Sequence, residues 1–438
     1  MTRGSALLAC ALACGIVLRL LWPADMEWKA DEQRMFAWAS AIGVTEPWPQ
    51  VGMASGVAVP NPGLSVWLFV PLARVTRDPV ALAQLVQFVN VLALIGFAIF
   101  GASRAFSAPA RELWFAGVAL MSVNPIAVVL ARKIWAQSLL PLFGLATLAA
   151  HASRASWAGA FVWGLAGALT GQIHMSGFFL QAALAIWTWF TDTAPGRTRW
   201  RAWVAGSALG TIPLVPWAIE LLRSENHFSR DWLATLVPRA PYTWLVDSLG
   251  INTPYVYRPE SLWFLAEPRI GGVPTYGMAI AHAALVGIAV YCLVRWVKSI
   301  WVSGSGMRDP GSGMRDAGSG IREAGSGRLH WPRFVPSSED GNIWLWAYAA
   351  AFGMTALLML AGVRARTHYL VIAYPLPFVW LAWLLLTHGG ARYYRIVLAL
   401  QLAITITLMH QIHRDGGVVN GAYGVTYRVQ SQAVDGRR

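Results

Sequence analysis

The fold is decided near the start of the chain by the apolar run GSALLACALACGIVLRLLW, from Gly4 to Trp22, and the charged segment EWKADEQR, from Glu27 to Arg34. The apolar run is long enough to cross a bilayer as a helix. The charged segment follows it closely, and carboxylates beside a membrane are costly to place. Together the two stretches predict a spanning helix that ends at an acidic loop, and they indicate chemistry in that loop at the outer surface.

The composition extends this interpretation to the whole chain. Of the 438 residues, 56% are hydrophobic and 13% are charged, whereas a soluble protein carries about 25% charged residues. This balance excludes a water-soluble domain with an ordinary polar surface. Apolar runs of about 20 residues recur, and they predict an all-α integral membrane protein with about eleven transmembrane helices. Most of the 24 tryptophans are expected at the two membrane interfaces.

The net charge of +13 is explained by membrane insertion. The short connections that we predict to lie inside are rich in arginine, as the positive-inside rule requires, and anionic lipid lies beneath them. No nucleic-acid recognition motif accompanies the charge. We therefore expect contact with membrane lipids, no nucleic acid, and a multi-pass protein of the cell inner (plasma) membrane whose acidic loop faces the periplasm or exterior.

Three segments depart from the pattern of plain spans. Gly63 to Ala73 is apolar but too short to span, and we predict a helix that lies in the interface within the first outer loop. Residues 302–340 contain a Gly-, Ser- and Arg-rich unit with a seven-residue period and are expected to form a flexible cytoplasmic loop. The transmembrane domain is assigned to residues 1–410, and residues 411–438 are assigned to an outer C-terminal tail.

Asp31 and Glu32 are the candidate catalytic residues. A carboxylate at the boundary between water and lipid can act as a general base or can orient an acceptor. The alternative is solvated charge at the start of an amphipathic helix, because acidic side chains favour helix N-termini. The helical spacing of the apolar residues that follow predicts such a helix in either case.

Three turns, distant in sequence, place cationic and polar side chains on the same predicted outer face. Adjacent cations in such a turn can hold a phosphate; the alternatives are contact with lipid headgroups or, for the histidine in the second turn, a hydrogen bond at a helix end. Polar residues within apolar hairpins commonly face a cavity. The predicted substrate-binding residues are Arg132, Lys133 and Gln137 in the first turn, Gln172 and His174 in the second, and Arg364, Arg366, His368 and Tyr369 in the third.

Several other kinds of site are absent from the sequence. It contains no His-Glu-x-x-His zinc motif, no Gly-x-Ser-x-Gly motif and no phosphate-binding glycine loop with Lys-Ser/Thr. The three cysteines lie within apolar runs and indicate neither a disulfide framework nor a metal site. ATP-driven transport and zinc-dependent proteolysis are therefore not favoured.

In their order along the chain, these motifs resemble the membrane-embedded C-type glycosyltransferases, in particular the clan of the protein O-mannosyltransferases and the lipid A aminoarabinose transferases. Beyond the Asp31-Glu32 pair, three segments carry the resemblance. They are Asn61–Trp67 (NPGLSVW), which resembles a Pro-Pro-Leu-x-x-Trp segment, Arg132–Leu140, which resembles an Arg-containing turn, and Arg366–Leu370 with Tyr374-Pro375, which resembles a late outer motif.

The resemblance implies transfer of a sugar from a polyprenyl-phosphate donor to a lipid, glycan or protein acceptor, with inversion at the anomeric carbon. Asp31 would take the acceptor proton, and Glu32 would support it. Arg132, Lys133, Arg366 and His368 would neutralise the departing phosphate. Gln137 stands where many relatives carry an acidic residue, so no cofactor is certain and a divalent metal is left open.

Two other functions fit the sequence. An envelope oligosaccharide ligase or polymerase also uses outer Arg and His residues on a multi-span scaffold, but it relies less on an acid in the first loop. A secondary transporter of lipid-linked sugars predicts paired halves with broken helices at mid-membrane. The sequence shows no such repeat.

Overall fold

A computed structural model describes residues 3–192, 197–224, 231, 233, 236–237, 239–253, 256–258, 261–305 and 341–435. The seven-residue repeat lies outside these residues except for its first positions, where a helix ends. The described chain is mainly helical, as predicted, and its sheets are two antiparallel hairpins of two strands each.

We call the loop from about Leu222 to Tyr276, which is predicted to lie outside, the long outer loop. The helices before it are α1 Arg3–Leu20, α2 Ala30–Ala41, α3 Leu64–Trp67, α4 Val70–Val75, α5 Pro79–Gly101, α6 Ala108–Val123, α7 Pro125–Leu130, α8 Ala136–Ala152, α9 Trp157–Ile173, α10 Ser176–Thr191, α11 Trp200–Gly210 and α12 Val215–Arg223. They are followed by α13 Arg239–Leu249, α14 Ser261–Leu265, β1 Arg269–Ile270, β2 Val273–Pro274, α15 Gly277–Ser305, α16 Gly341–Tyr348, α17 Thr355–Leu360, α18 Leu376–His388, α19 Ala391–Asp415, β3 Gly417–Val418, β4 Gly424–Val425 and α20 Tyr427–Asp435.

Five helices in the described part are long and apolar enough to cross a membrane: Pro79–Gly101, Trp200–Arg223, Gly277–Trp301, Asn342–Leu360 and Ala391–Asp415. The predicted count of about eleven is not confirmed. One reason is that apolar runs are interrupted: Asn124 and Pro125 end α6 after 16 residues and start α7, with the Asn124 side chain capping the new helix. The predicted interfacial segment forms α3 and α4, and its placement at the membrane surface stays a prediction.

The packing of α1 against α6 fixes where the acidic loop begins. Gly15 lets the helices approach closely, because a Cβ there would lie 2.4 Å from the Ser122 carbonyl oxygen. The buried Arg19 side chain donates to that same oxygen at 2.6 Å and to the Gly15 carbonyl at 2.9 Å. Carbonyl partners satisfy the guanidinium in an apolar setting, as a buried charge requires.

Tryptophan also builds the interior. Trp114, Trp163 and Trp346 are fully buried, so part of the tryptophan content that we expect at the interfaces packs inside. Trp114 and Trp346 pack edge to face, with ring centroids 6.0 Å apart, which is a favourable geometry for aromatic rings. These contacts join α6 to α16.

Asn124 and Gln401 attach the long outer loop to the bundle. The Asn124 amide donates to the Asp247 carbonyl oxygen at 2.8 Å, and the Gln401 amide donates to the Ser248 carbonyl oxygen at 2.6 Å. Both acceptors are at the end of α13. The end of α13 is therefore anchored to the start of α7 and to the middle of α19.

Candidate functional site

A cavity of about 920 Å³ opens between the acidic loop, the turn before α8, the turn after α9, the long outer loop and the segment before the Val371–Ala373 turn. Its size is at the upper end of the range for small-molecule sites. Predicted site residues from all four sequence regions line it: Asp31, Glu32, Lys133, Gln137, His174, Arg366, His368 and Tyr369.

Three predicted site residues lie elsewhere. The Arg132 guanidinium is fully buried and donates to the carbonyl oxygens of Leu18, Arg19, Leu21 and Trp22 at 2.5–3.1 Å. It therefore caps the end of α1, where a cation is favourable. The Gln172 amide bridges α9 to the Gly210 carbonyl at 2.6 Å. The Arg364 guanidinium pairs with the Asp231 carboxylate of the long outer loop at 2.5 Å, and both side chains are partly exposed.

The register of α2 separates the two catalytic candidates. Glu32 accepts a hydrogen bond from the Lys29 backbone N–H at 3.2 Å, as in a capping box. Met35 and Ala39 follow Glu32 on the same buried face. Asp31 is one position away, so its side chain points elsewhere, and it is exposed to the cavity. Asp31 is thus the accessible carboxylate and Glu32 the buried one.

Lys133 is held between two carboxylates. Its ammonium lies 2.8 Å from Glu27 Oε2 and 3.6 Å from Glu32 Oε1, and it stacks over the Trp135 ring at 4.2 Å. Burial raises the pKa of Glu32 to about 7, and the nearby Lys133 charge opposes that shift. Glu27 was not among the predicted residues, although it lies in the charged segment that opens the sequence argument.

The two histidines of the cavity are neutral at physiological pH. Burial lowers the pKa of His174 to about 4. It also lowers the pKa of His368 well below its usual range, and His174, Lys133 and Arg366 lower it further. His174 Nδ1 accepts from the Ser176 backbone N–H at 3.3 Å, so the neutral ring carries its proton on Nε2. These rings can offer hydrogen bonds to a ligand but no positive charge.

A further buried carboxylate, Asp247, which the sequence did not reveal, supports the segment Arg366–Tyr369 that lines the cavity. Asp247 Oδ1 accepts from the Asn252 amide at 2.5 Å, and the same amide donates to the Thr367 hydroxyl at 2.9 Å. Asn252 and Thr367 line the cavity, whereas Asp247 lies behind them. Burial raises the pKa of Asp247 to about 7. No local motif marks this contact, because its partners are far apart in sequence.

The region predicted as a C-terminal tail also reaches the cavity. Ala422 and Tyr423 line it, and the Tyr423 hydroxyl donates to the Asp25 carbonyl oxygen at 2.6 Å. Among the described residues, no group of three or more His, Cys, Asp and Glu side chains is placed to hold a metal ion, so we name no metal ligands.

No protein-family model and no curated protein matches the sequence. Among solved structures, the chain is similar to ArnT from Cupriavidus metallidurans in the apo state, with a TM-score of 0.39 and 14% identity over 92% of this chain and 78% of that one. It is also similar to the apo oligosaccharyltransferase from Archaeoglobus fulgidus, with a TM-score of 0.38 and 12% identity over 91% of this chain and 56% of that one. The chain thus spans little more than half of the second structure's length.

Arg132→Gln should reduce stability, because the buried carbonyl oxygens at the end of α1 lose their donors. Each unsatisfied buried acceptor costs about 1–3 kcal/mol. Arg364→Gln is the matched control: it removes a partly exposed ion pair, which contributes about 0–1 kcal/mol. Thermal unfolding in detergent measures both. Equal unfolding temperatures for the two variants would contradict the assignment of Arg132 to the helix end.

Glu32→Gln should change how stability depends on pH. The carboxyl pKa is raised from 4.5 to about 7 in the folded state, so the folded protein binds more protons than the unfolded chain between these values. The Glu32 carboxyl therefore contributes at most about 3 kcal/mol of stability at low pH. This contribution decreases as pH rises through the window and is lost above it. The variant lacks this contribution, so the unfolding temperature of the wild type should fall relative to Glu32→Gln between pH 4.5 and 7. A constant difference between the two curves would disprove the shift.

Proposed function

We propose that this cavity transfers a sugar from a polyprenyl-phosphate donor to an acceptor hydroxyl, or another nucleophile, at the outer face of the membrane. The observation that carries the proposal is the composition of one cavity. The cavity is lined by the accessible carboxylate of Asp31, by the cations Lys133 and Arg366, and by the neutral imidazoles of His174 and His368. Displacement of a phosphate by a hydroxyl requires a base and cationic groups that bind the phosphate, and this cavity contains both.

In the proposed reaction Asp31 takes the proton of the acceptor hydroxyl while the acceptor oxygen attacks the anomeric carbon. The bond from that carbon to the phosphate oxygen breaks, and its electron pair leaves with the lipid phosphate. The attack comes from the side opposite the phosphate, so the anomeric configuration inverts. Asp31 suits this role because it is exposed to the cavity, whereas Glu32 is buried against Lys133.

Lys133 and Arg366 are assigned to the departing phosphate. Lys133 is fixed in position by Glu27 before any ligand arrives, and a fixed charge needs no reorganisation in the transition state. The exposed Arg366 forms no ion pair with any described residue, so its guanidinium is available for bidentate contact with phosphate oxygens. His368 adds a neutral N–H donor beside them.

The proposed location is the inner (plasma) membrane, with the cavity facing the periplasm or exterior. The proposal is supported by the arginine distribution, which predicts that the loops around the cavity lie outside. A donor whose lipid chain stays in the bilayer would then present its sugar and phosphate to the cavity from the membrane side. The acceptor is a lipid, glycan or protein that reaches the same face.

Asp31→Asn and Asp31→Ala should reduce sugar transfer by about 10²–10⁴-fold, because the acceptor proton loses its base. The purified, reconstituted protein is assayed against a panel of polyprenyl-phosphate sugars, with product detected by mass spectrometry. Asp78→Asn is the control, because Asp78 caps α5 away from the cavity and Asn caps a helix equally well.

Full transfer activity in both Asp31 variants would exclude the proposed role of this residue. Substrate-stimulated movement of the donor across vesicles, without any new glycosidic product, would favour the transporter alternative. A cytoplasmic location for a reporter placed after Asp31 would exclude the outer-face orientation.

A further inference from the structure

We propose that the C-terminal segment, Gly416–Asp435, positions the acidic loop of this cavity, and that Arg428 and Gln430 are positioning residues for the transfer reaction. The segment consists of the β3–β4 hairpin and α20. It touches the loop that joins α1 to α2, which carries Glu27 and leads into Asp31. The link to the reaction rests on the proposed function; the positioning of the loop is tested separately from it.

Five consecutive residues of the loop are each held by the C-terminal segment. The Tyr427 backbone N–H donates to the Met26 carbonyl oxygen at 3.2 Å, and the Gln430 amide donates to the Trp28 carbonyl oxygen at 2.8 Å. The other three loop residues also contact the segment. Asp25 accepts hydrogen bonds from Tyr423 and Arg428. Glu27 forms an antiparallel backbone bridge with Thr426, and the Lys29 ammonium donates to the Ala422 carbonyl oxygen. The backbone position of the loop is therefore set by residues of the segment.

Asp25 is the main anchor of this contact. Its carboxylate is 1% exposed. Arg428 Nε donates to Oδ1 at 2.6 Å, and His413 Nδ1 lies 2.5 Å from Oδ2. The His413 ring also stacks on Trp22, with centroids 4.0 Å apart. Arg428→Gln removes a cationic partner of the buried carboxylate and leaves it paired with His413. Weakening the pairing of a buried charge is costly, so the loop is expected to move when Arg428 loses its charge.

The position of the loop matters because Glu27 holds Lys133 at 2.8 Å. A shift of the loop changes the place of Lys133 and of the start of α2, where Asp31 lies. A misplacement of about 1 Å in a catalytic arrangement can cost roughly 100-fold in rate. The segment thus acts on the reaction through the loop, without contact between Arg428 or Gln430 and the cavity.

The test compares Arg428→Gln with Arg414→Gln in the full-length, reconstituted protein. Arg414 is a matched control, because it forms ion pairs with Glu267 and Asp415 but none with the loop. We expect Arg428→Gln to lower kcat for sugar transfer by roughly 10- to 100-fold, with a smaller change in the donor KM. Amide hydrogen exchange of residues 26–32 should increase in the same variant. Arg428→Lys should recover part of both effects, and Arg414→Gln should match the wild type.

Gln430→Ala provides a second variant that keeps the Asp25 ion pair and removes only the bond to the Trp28 carbonyl; its effects should have the same direction and be smaller. The inference is overturned if folded Arg428→Gln and Gln430→Ala exchange residues 26–32 like the wild type, or if exchange rises while kcat stays unchanged. A wild type that transfers no sugar from any donor, with exchange still raised in Arg428→Gln, would refute the proposed function and leave the positioning of the loop established.

Discussion

The ion pair between Lys133 and Glu27 is the interaction on which the site depends. An ammonium buried beside an apolar bundle needs a carboxylate close by, and Glu27 supplies it at 2.8 Å. The neighbouring Arg132 is used differently, since it caps the carbonyl end of α1. Two adjacent cations therefore fix the same loop at two points. Arg132 holds the end of the helix that leads into it, and Lys133 holds the Glu27 carboxylate within it.

The electrostatics of the cavity follow from burial. The two imidazoles are neutral, and burial brings the pKa of Glu32 to about 7. The charge available to an anionic ligand thus comes from Lys133 and from arginine, and the histidines contribute directional N–H groups. Because Lys133 already has carboxylate partners, an arriving phosphate must compete with them. Such a site favours a ligand that also reaches Arg366, whose charge has no partner among the described residues.

The sequence predicted the helical class and most of the polar wall, because composition and the order of the charged turns carry that information. It could not separate Arg132 from Lys133 or Arg364 from Arg366, because the direction of each side chain in these turns depends on the local backbone, which the residue types do not reveal. It also missed Asp247 and the C-terminal segment. Their roles come from contacts between distant residues, and no local spacing encodes such contacts. The predicted count of about eleven spans is not confirmed, and one reason is that residues such as Asn124 and Pro125 break an apolar run into two helices.

The same long-range contacts have a consequence for assembly. Asp25 and Arg428 are separated by 403 positions, and contacts of this kind form late because the intervening chain must be ordered first. A chain that has inserted α1 but has not yet packed α19 and α20 carries Asp25 without its cation. The loop that bears Glu27 then lacks its backbone partners, and Lys133 lacks a fixed counter-ion. The cavity therefore acquires its arrangement of charges only when the N-terminal and C-terminal parts of the chain have packed together, which couples the proposed activity to completion of the fold.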